Sequence, residues 1–370
     1  MSRKLIIHAP NVHQGGGRTL LLALLSSLPS DTCGEVIVDA RMEIPFAIPS
    51  GFGLTRVPCS LRYRMRIERE LRSKAVSGSH LFCFHSLPPL RRCPAFVSVF
   101  VQNRNIISNT DISAYPARAR FRIQLERIWF RWGMRLVDEF IVQTETMRDL
   151  LRDTVGHAAS IRVLPFLPIT MSTNNKGDGI RSVPAALADT QLPFNFCYIA
   201  TGEPHKNHRK LIDAWCLLAN AGHFPSLCLT LEAARFPQLC RWIGEQVRLH
   251  GLNVHNVGYV SLNEAHQIYS LSDTLIYPSR YESFGLPLLE ARQHGLTIGA
   301  GELDYVRDIV EPDATFDPES PRSIARAVQR LLGLGNQCVP ILDQQSFVNQ
   351  LFTARQEVGS RSKAFVRERV

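Results

Sequence analysis

A chain of 370 residues, 45% hydrophobic and 20% charged, has the composition of a folded soluble protein. It exceeds what one typical core serves, so two domains are expected. No apolar run approaches the roughly 18 residues that a membrane-spanning helix needs. Nine scattered cysteines without a C-x-x-C pair argue against a disulfide framework or a cysteine zinc site, and for a reducing cytosol. The net charge of +9 is uneven: residues 1–167 carry +10 and residues 168–370 carry −1. Nucleic acid, an anionic membrane surface or a phosphate-bearing lipid would each suit such a basic half.

The N-terminus combines early positive charge with a leucine-rich run, as a leader peptide would. Asn11–Gly17 interrupts that run, and "KLIIHA" (4–9) reads better as a first strand. Further strands are expected at 35–40, 80–85, 96–102, 139–144 and 161–166. After 193 they are expected at 194–200, 227–233, 253–260, 274–279 and 296–300. Such near-continuous apolar runs suit parallel strands covered on both faces. Segments between them, such as "HRKLIDAWCLLANAG", show helical spacing and end at glycine. The β/α alternation predicts an α/β architecture of doubly wound parallel sheets.

The stretch 168–193 is rich in Pro, Gly, Ser, Thr and Asn and has no period. It reads as an interdomain linker or long surface loop. Residues 1–167 and 194–342 are then two Rossmann-like domains facing a central cleft, with an amphipathic helix over 343–358 and a polar tail to 370.

Three segments carry ligand chemistry. "YESFGLPLLEA" (281–291) follows a strand and opens a helix, and Pro287 suits the first turn, where its missing N–H costs nothing. The amides of Phe284, Gly285 and Leu286, beside Ser283, would offer unpaired donors and the positive end of the helix dipole to a phosphate. Glu282 would lie at the carboxyl end of the strand, where open α/β sheets bind ligands, and Glu290 on the first turn, within reach of ribose hydroxyls. Locally, a helix cap and a solvated acid would explain the two carboxylates equally well. In "YIATGEPHKNHRK" (198–210), Gly202 permits the turn and Lys206 offers a compact cation to a diphosphate, or is an ordinary surface lysine. Gly15, Gly16 and Gly17 form a loop before the first helix, a weak phosphate-loop signal and no dinucleotide fingerprint.

Lys206 in "GEPHKN", "GYVS" (258–261), "YPSRYESFGLPLLEA" and "ELDYVRDIVEPDATFDPESPRSIARAV" together resemble retaining nucleotide-sugar glycosyltransferases of the GT-B fold, in the large family four. The resemblance covers about 194–332 strongly and 1–167 in topology. It implies that Glu282 lies near the donor sugar, that Phe284 and Gly285 meet sugar or diphosphate, and that Glu290 grips the ribose. Lys206 would neutralise the departing diphosphate without a metal. The Gly15–Gly17 loop would close on the donor, with Tyr259 and Val260 near the nucleobase. His85 in "HLFCFHSLPP" matches the place of a histidine beside the donor sugar, although a strand-end histidine is also a common packing residue. Apart from the resemblance, Gln102, Asn103 and Arg104 end the strand in "VFVQNRNII" (99–107) as acceptor contacts or as an ordinary polar loop. One departure stands out: where relatives often carry "GR" beside the lysine, this chain has Gly202-Glu203, with Arg209 and Arg280 as substitutes. No cofactor is implied beyond a UDP- or GDP-linked sugar as substrate, and no metal: "ELD" (302–304) falls outside a metal motif.

The basic half has two sources, "RYRMRIERELRSK" (62–74) and "RARFRIQLERIWFRWGMRL" (118–136). The second is expected to group Phe121, Leu125, Ile128, Trp129 and Trp132 on one helical arc, packed on its own sheet or lying at a membrane interface. Aromatics for base stacking are sparse, which argues against nucleic acid. The expected acceptor is a lipid-linked or lipopolysaccharide saccharide at the cytoplasmic membrane surface. The alternatives are a nucleotide-sugar epimerase, a phosphorylase or a non-catalytic scaffold.

Overall fold

A computed structural model describes residues 4–30, 32–108, 110–166 and 193–334. The expected linker, apart from Pro193, and the expected helix at 343–358 with its tail lie outside the described residues. Met1–Leu331 forms one compact unit holding two sheets, and Leu332–Val370 forms a second unit.

The first sheet contains β1 (Lys4–Ala9), β2 (Cys33–Asp39), β3 (Phe52–Val57), β4 (His80–Cys83), β5 (Phe96–Phe100), β6 (Glu139–Val142) and β7 (Ile161–Val163). Their order is β3-β2-β1-β4-β5-β6-β7, parallel throughout. The second holds β8 (Phe194–Tyr198), β9 (Leu227–Leu229), β10 (Val254–Asn256), β11 (Ser272–Tyr277), β12 (Thr297–Gly301) and β13 (Ala314–Phe316). These run β10-β9-β8-β11-β12-β13, again parallel. Both sheets bury their centres completely: Ile6, Ile7, Val36 and Ile37 in the first, Phe196, Cys197, Leu275 and Ile276 in the second. Each such side chain contributes about 1.5–3 kcal/mol, and covering both faces explains why these strands read as apolar runs. Cys59, Cys83, Cys93, Cys197, Cys216, Cys228 and Cys240 are free thiols.

Every expected strand is present, generally shorter than its apolar run, because the chain turns into ligand-side loops before the hydrophobicity ends. Two strands were not expected. β3, "FGLTRV", is interrupted by glycine and arginine, and β13, "ATF", has three residues. The expected strand through Tyr259 and Val260 stops instead at Asn256, and the chain turns at Gly258, whose φ is +83°. Nor do Gly15–Gly17 form a loop. They are the first turn of helix α1 (Gly15–Ser26), behind Gln14, which caps it without a side-chain bond.

Arginine-rich α2 (Leu61–Lys74) is capped by Ser60, whose hydroxyl accepts from Tyr63 N, and α3 (Arg104–Ile107) is a single turn beyond β5. Helix α4 (Ala117–Gly133) corrects the expectation that its apolar arc packs on the sheet. Ile123, Phe130 and the buried Arg127 face inward. Phe121, Leu125, Ile128 and Trp132, at i, i+4, i+7 and i+11, form an outward stripe in which Phe121 is 68% and Trp132 74% exposed. Arg127 satisfies the inward face by donating to Asn105 O at 2.8 Å and Thr110 O at 3.1 Å. Trp129 alone of the expected arc is half-buried, with its indole N–H on Pro88 O at 2.9 Å.

Two glycines make the fold's requirements testable. A Cβ on Gly34, in β2, would sit 1.8 Å from Leu5 O of β1, so Gly34→Ala should cost about 3 kcal/mol or more. Gly244, inside helix α7 (Pro237–His250), meets nothing within 4 Å, and Gly244→Ala should stabilise by about 0.5–1 kcal/mol. Urea midpoints of the two variants check both signs.

Candidate active site

In an open α/β sheet, ligands bind beyond the carboxyl ends of strands where the winding reverses. In the second sheet that point lies between β8 and β11, with β9 and β10 to one side and β12 and β13 to the other. The loop after β8 makes one 3-10 turn, Pro204–Lys206, and passes through Asn207 in the left-handed region, φ 61°. Asparagine tolerates that conformation. Its buried amide donates to Pro278 O at 3.2 Å and Pro318 O at 2.7 Å, tying this loop to the one after β11.

The tie brings Lys206 to Glu282. Nζ donates to Oε1 at 2.6 Å, both side chains largely buried, and the Tyr277 hydroxyl donates to the same oxygen at 3.1 Å. Burial pushes the Glu282 carboxyl up. The Lys206 ammonium, with His205 and Ser279, pulls it down further, so it stays ionised below the usual carboxylate range. His205 lies beside the pair, held down to about 4 mainly by burial.

Helix α9 (Leu286–Gln293) starts three residues beyond Ser283, with Gly285 as N-cap at φ +79° and Pro287 in the first turn. Gly285 is required twice, by that backbone angle and because a Cβ would press on Leu288 and Ile309 at 3.2 and 3.3 Å. Glu290 falls on the second turn rather than the first. Its Oε2 accepts from the Tyr269 hydroxyl at 3.0 Å, and burial raises its pKa. Phe284 and Leu286 are buried in a cluster that includes Ile7, Leu20 and Phe100 of the first sheet's layer. A Cβ on Gly16 would lie 3.1 Å from the Leu286 side chain, so the glycine turn of α1 and the start of α9 meet closely.

The first sheet reverses between β1 and β4. His8, on β1, and His85, just past β4, meet there: His85 Nε2 lies 3.0 Å from His8 Nδ1. Glu68, on α2, places Oε1 3.5 Å from His8 Nε2. Ser86 adopts a left-handed φ of 66°, and its hydroxyl accepts from Gln102 N and Asn103 N, fixing the loop that holds His85. Beyond β5, the Arg104 guanidinium lies 5.2 Å over the Tyr281 ring, with a buried, unpartnered Nε and the charge of Glu282 nearby. Tyr115 bridges the same seam, its hydroxyl 2.7 Å from His205 Nδ1 and 3.2 Å from the Tyr281 hydroxyl. Thr146 N donates across to Asp308 Oδ2 at 2.9 Å.

The structure therefore brings Lys206 to Glu282 and sets Phe284 and Leu286 against the first sheet's layer and the Gly15–Gly17 turn, with Ser283 and Gly285 between, Glu290 a turn further on against Tyr269, and His85 at the first sheet's switch point. Gly202 serves differently from expected: no positive φ needs it, but a Cβ would strike the Phe236 ring at 2.5 Å. Tyr259, 74% exposed, and Val260 lie beyond the edge strand β10. Glu203, where relatives often carry arginine, accepts from Arg235 at 2.9 Å. Arg209 stacks on Trp242 and Arg280 pairs with Glu319, so neither substitute is free. Arg104, which sequence reasoning placed on the acceptor, lies close enough to Glu282 to feel its charge. His8, Glu68, Ser86 and Tyr281 went unnoticed, since only the long-range fold joins them.

Among the described residues, His8, Glu68 and His85 are the one set whose donor atoms, within 4.8 Å of one another, have metal-ligand chemistry. His85 spends Nε2 on His8, and the nearby Arg64 guanidinium adds positive charge that lowers both histidines. Glu302 of "ELD" is taken by Arg307 at 2.7 Å.

Lys206→Ala would leave Glu282 buried without its partner, at about 3 kcal/mol. In the variant the folded carboxyl titrates above its unfolded value, so its penalty grows as pH rises; in the wild type the depressed pKa has the opposite effect. Urea unfolding should show a larger loss at pH 8 than at pH 5, and equal losses would refute the ion pair.

Residues 189–340 match the family model described as glycosyl transferases group 1. Over 138 residues the chain is 28% identical to the O-antigen chain mannosyltransferase B of Escherichia coli, a match covering 36% of each chain. The chain thus spans about a third of that curated relative. Two solved structures cover 89% of this chain and are covered to 90% by it. They are Anabaena HepE in complex with UDP and glucose, TM-score 0.61 at 13% identity, and WaaG, a glycosyltransferase involved in lipopolysaccharide biosynthesis, TM-score 0.62 at 15% identity. These likenesses show the fold, the GT-B pairing of two Rossmann-like parallel sheets. The likeness to the glycosyl transferases group 1 family is carried by residues 189–340.

Proposed function

We propose that this protein is a retaining, metal-independent glycosyltransferase that moves a hexosyl or related sugar from a UDP- or GDP-linked donor to a saccharide acceptor. The observation that carries this reading is the buried Lys206–Glu282 pair beside the amide-rich start of α9, at the switch point of the second sheet. A donor diphosphate would lie against the amides of Phe284, Gly285 and Leu286, with Lys206 and Arg104 supplying positive charge. As the bond from the sugar's anomeric carbon to the diphosphate breaks, its electron pair leaves on phosphate oxygen, and those cations stabilise that charge. Glu290 would take the ribose hydroxyls on the carboxylate oxygen that Tyr269 leaves open. Glu282 and His85 would face the sugar. HepE's complexes with UDP and the mannosyltransferase relative support a nucleotide-linked hexose.

The acceptor is proposed to be a lipid-linked or lipopolysaccharide glycan, reached from an anionic membrane on the cytoplasmic side. No described helix is long and apolar enough to cross a membrane, so contact would be peripheral. The outward stripe of α4 supports it. At helical spacing Arg118 and Arg122 flank the stripe on one side and Arg120 and Arg131 on the other, all exposed. Apolar side chains between rows of arginine fit the boundary between acyl chains and acidic headgroups. Arg72, Arg91 and Arg92 line a hollow with Leu90, Cys93, Pro94 and Leu136 on the same domain.

A panel including UDP-glucose and GDP-mannose, assayed by calorimetry and slow hydrolysis, should yield a donor that binds below millimolar concentration; no binding by any nucleotide sugar overturns the reading. Glu290→Ala should weaken that binding about tenfold, roughly one charged hydrogen bond, with the fold intact by circular dichroism. Replacing Phe121 and Trp132 together by serine should release the protein from vesicles containing phosphatidylglycerol without altering donor affinity. Unchanged sedimentation with vesicles would refute the α4 contact.

A further inference from the structure

His8, Glu68 and His85 are buried where the first sheet changes direction, and their polar atoms form a line. Glu68 Oε2 accepts from Leu90 N at 3.1 Å, while Oε1 stands 3.5 Å from His8 Nε2. His8 Nδ1 lies 3.0 Å from His85 Nε2, and the buried His85 Nδ1 has no partner in any other residue, only its own backbone nearby. The two atoms at 3.5 Å have no other partner either. Catalytic hydrogen bonds of that length tighten when a substrate binds. Burial drives His8 down to about 3 and His85 well below its ordinary value, and Arg64 acts in the same direction, so both rings are neutral.

A neutral imidazole carries one proton on two nitrogens. The line can therefore be ordered in two ways only. With Glu68 ionised, His8 Nε2–H points to it, His8 Nδ1 accepts from His85 Nε2–H, and His85 Nδ1 is a bare acceptor. With Glu68 protonated, every bond reverses and His85 Nδ1–H is a donor. The change balances: one proton arrives at His85 Nδ1, the Nε2 proton of His85 passes to His8 Nδ1, and the Nε2 proton of His8 passes to Glu68 Oε1.

We infer that Glu68, acting through His8, decides which ring nitrogen of His85 is protonated, so that Nδ1 accepts a hydrogen bond from a donor-sugar hydroxyl when Glu68 is ionised and donates one when it is neutral. Glu68 and His8 are positioning residues, and their effect on transfer rests on His85 meeting the donor sugar as proposed above. The surroundings of Glu68 suit the task. Burial lifts its carboxyl to about 7, and the Leu90 amide and Arg64 keep it from rising further. Cys83 of β4 and Cys93 also face it, both thiols pushed up chiefly by burial. Arg64 in turn faces Glu126 of α4, and Arg72 faces Cys93.

Nitrogen-15 NMR of the histidine rings in the full chain, from pH 5.5 to 8.5, tests the line directly. His85 and His8 should exchange tautomers together near pH 7 without an imidazolium signal. In Glu68→Gln, whose carboxamide does not titrate, each ring should hold one tautomer at every pH. A single unchanging His85 tautomer in the wild type overturns the inference, and that titration decides even where the variant fails to fold. Zinc added alone that shifts both rings and erases the transition also overturns it, in favour of a metal site. The pH profile of UDP-glucose or GDP-mannose hydrolysis should lose its step near 7 in Glu68→Gln. A tautomer exchange with no such step upholds the relay and instead refutes the contact of His85 with the sugar.

Discussion

The site depends on one ion pair. Lys206 and Glu282 stand 76 residues apart in sequence and meet at 2.6 Å only because β8 and β11 are neighbours at the point where the second sheet reverses. Neither charge is tolerable there alone, since burying an unpaired ion costs several kcal/mol. Each loop is therefore bound to the other by the chemistry it carries. Asn207 reinforces the link from below through Pro278 and Pro318. A ligand that takes one partner must compensate the other. This suits a substrate bearing both phosphate charge, which would engage the ammonium, and hydroxyls, which would engage the carboxylate.

The two sheets meet the same geometric problem with opposite electrostatics. At β8 and β11 the crevice holds full charges of both signs; at β1 and β4 it holds two neutral imidazoles. Lys206 stabilises an ionised Glu282, whereas among the described residues the carboxylate at the His8–His85 pair, Glu68, stands 3.5 Å away. The second sheet is thus prepared for a charged group and the first for uncharged polar ones. That division follows from burial and partner distance, before any substrate is considered.

Much of the second sheet's side was legible in the sequence because its signals are local. Pro287, Gly285 and the apolar run before them specify strand, turn and helix start by their own backbone preferences, and the structure reproduces that order. Glu282 and Lys206 could be singled out but not paired, since pairing depends on strand order. The first sheet's side was less legible. His8 lies inside an apolar strand and Glu68 inside an arginine-rich helix, and nothing in either neighbourhood signals the other. Periodicity found the apolar arc of α4 but not its direction: a stripe of Phe121, Leu125, Ile128 and Trp132 obeys the same 3.6-residue period whether it packs or faces out. What decided the matter was Arg127, whose guanidinium is consumed by two inward carbonyls.

The seam between the sheets explains why small residues recur at Gly15–Gly17 and Gly285. Phe284 and Leu286 belong to the second sheet's helix start, yet are buried among residues of the first. The glycine turn of α1 lies against them so closely that one methyl on Gly16 would crowd Leu286. Two helix N-termini thus converge with little side-chain bulk between them, and each brings the positive end of its dipole. Arg104 and Lys206 add two cations on the same seam, with the carboxylate of Glu282 paired to Lys206. Glu203 is paired with Arg235, and Arg104 is contributed from the opposite sheet. A diphosphate at this seam would bind both sheets at once, and the affinity it gains would favour their approach over the substrate.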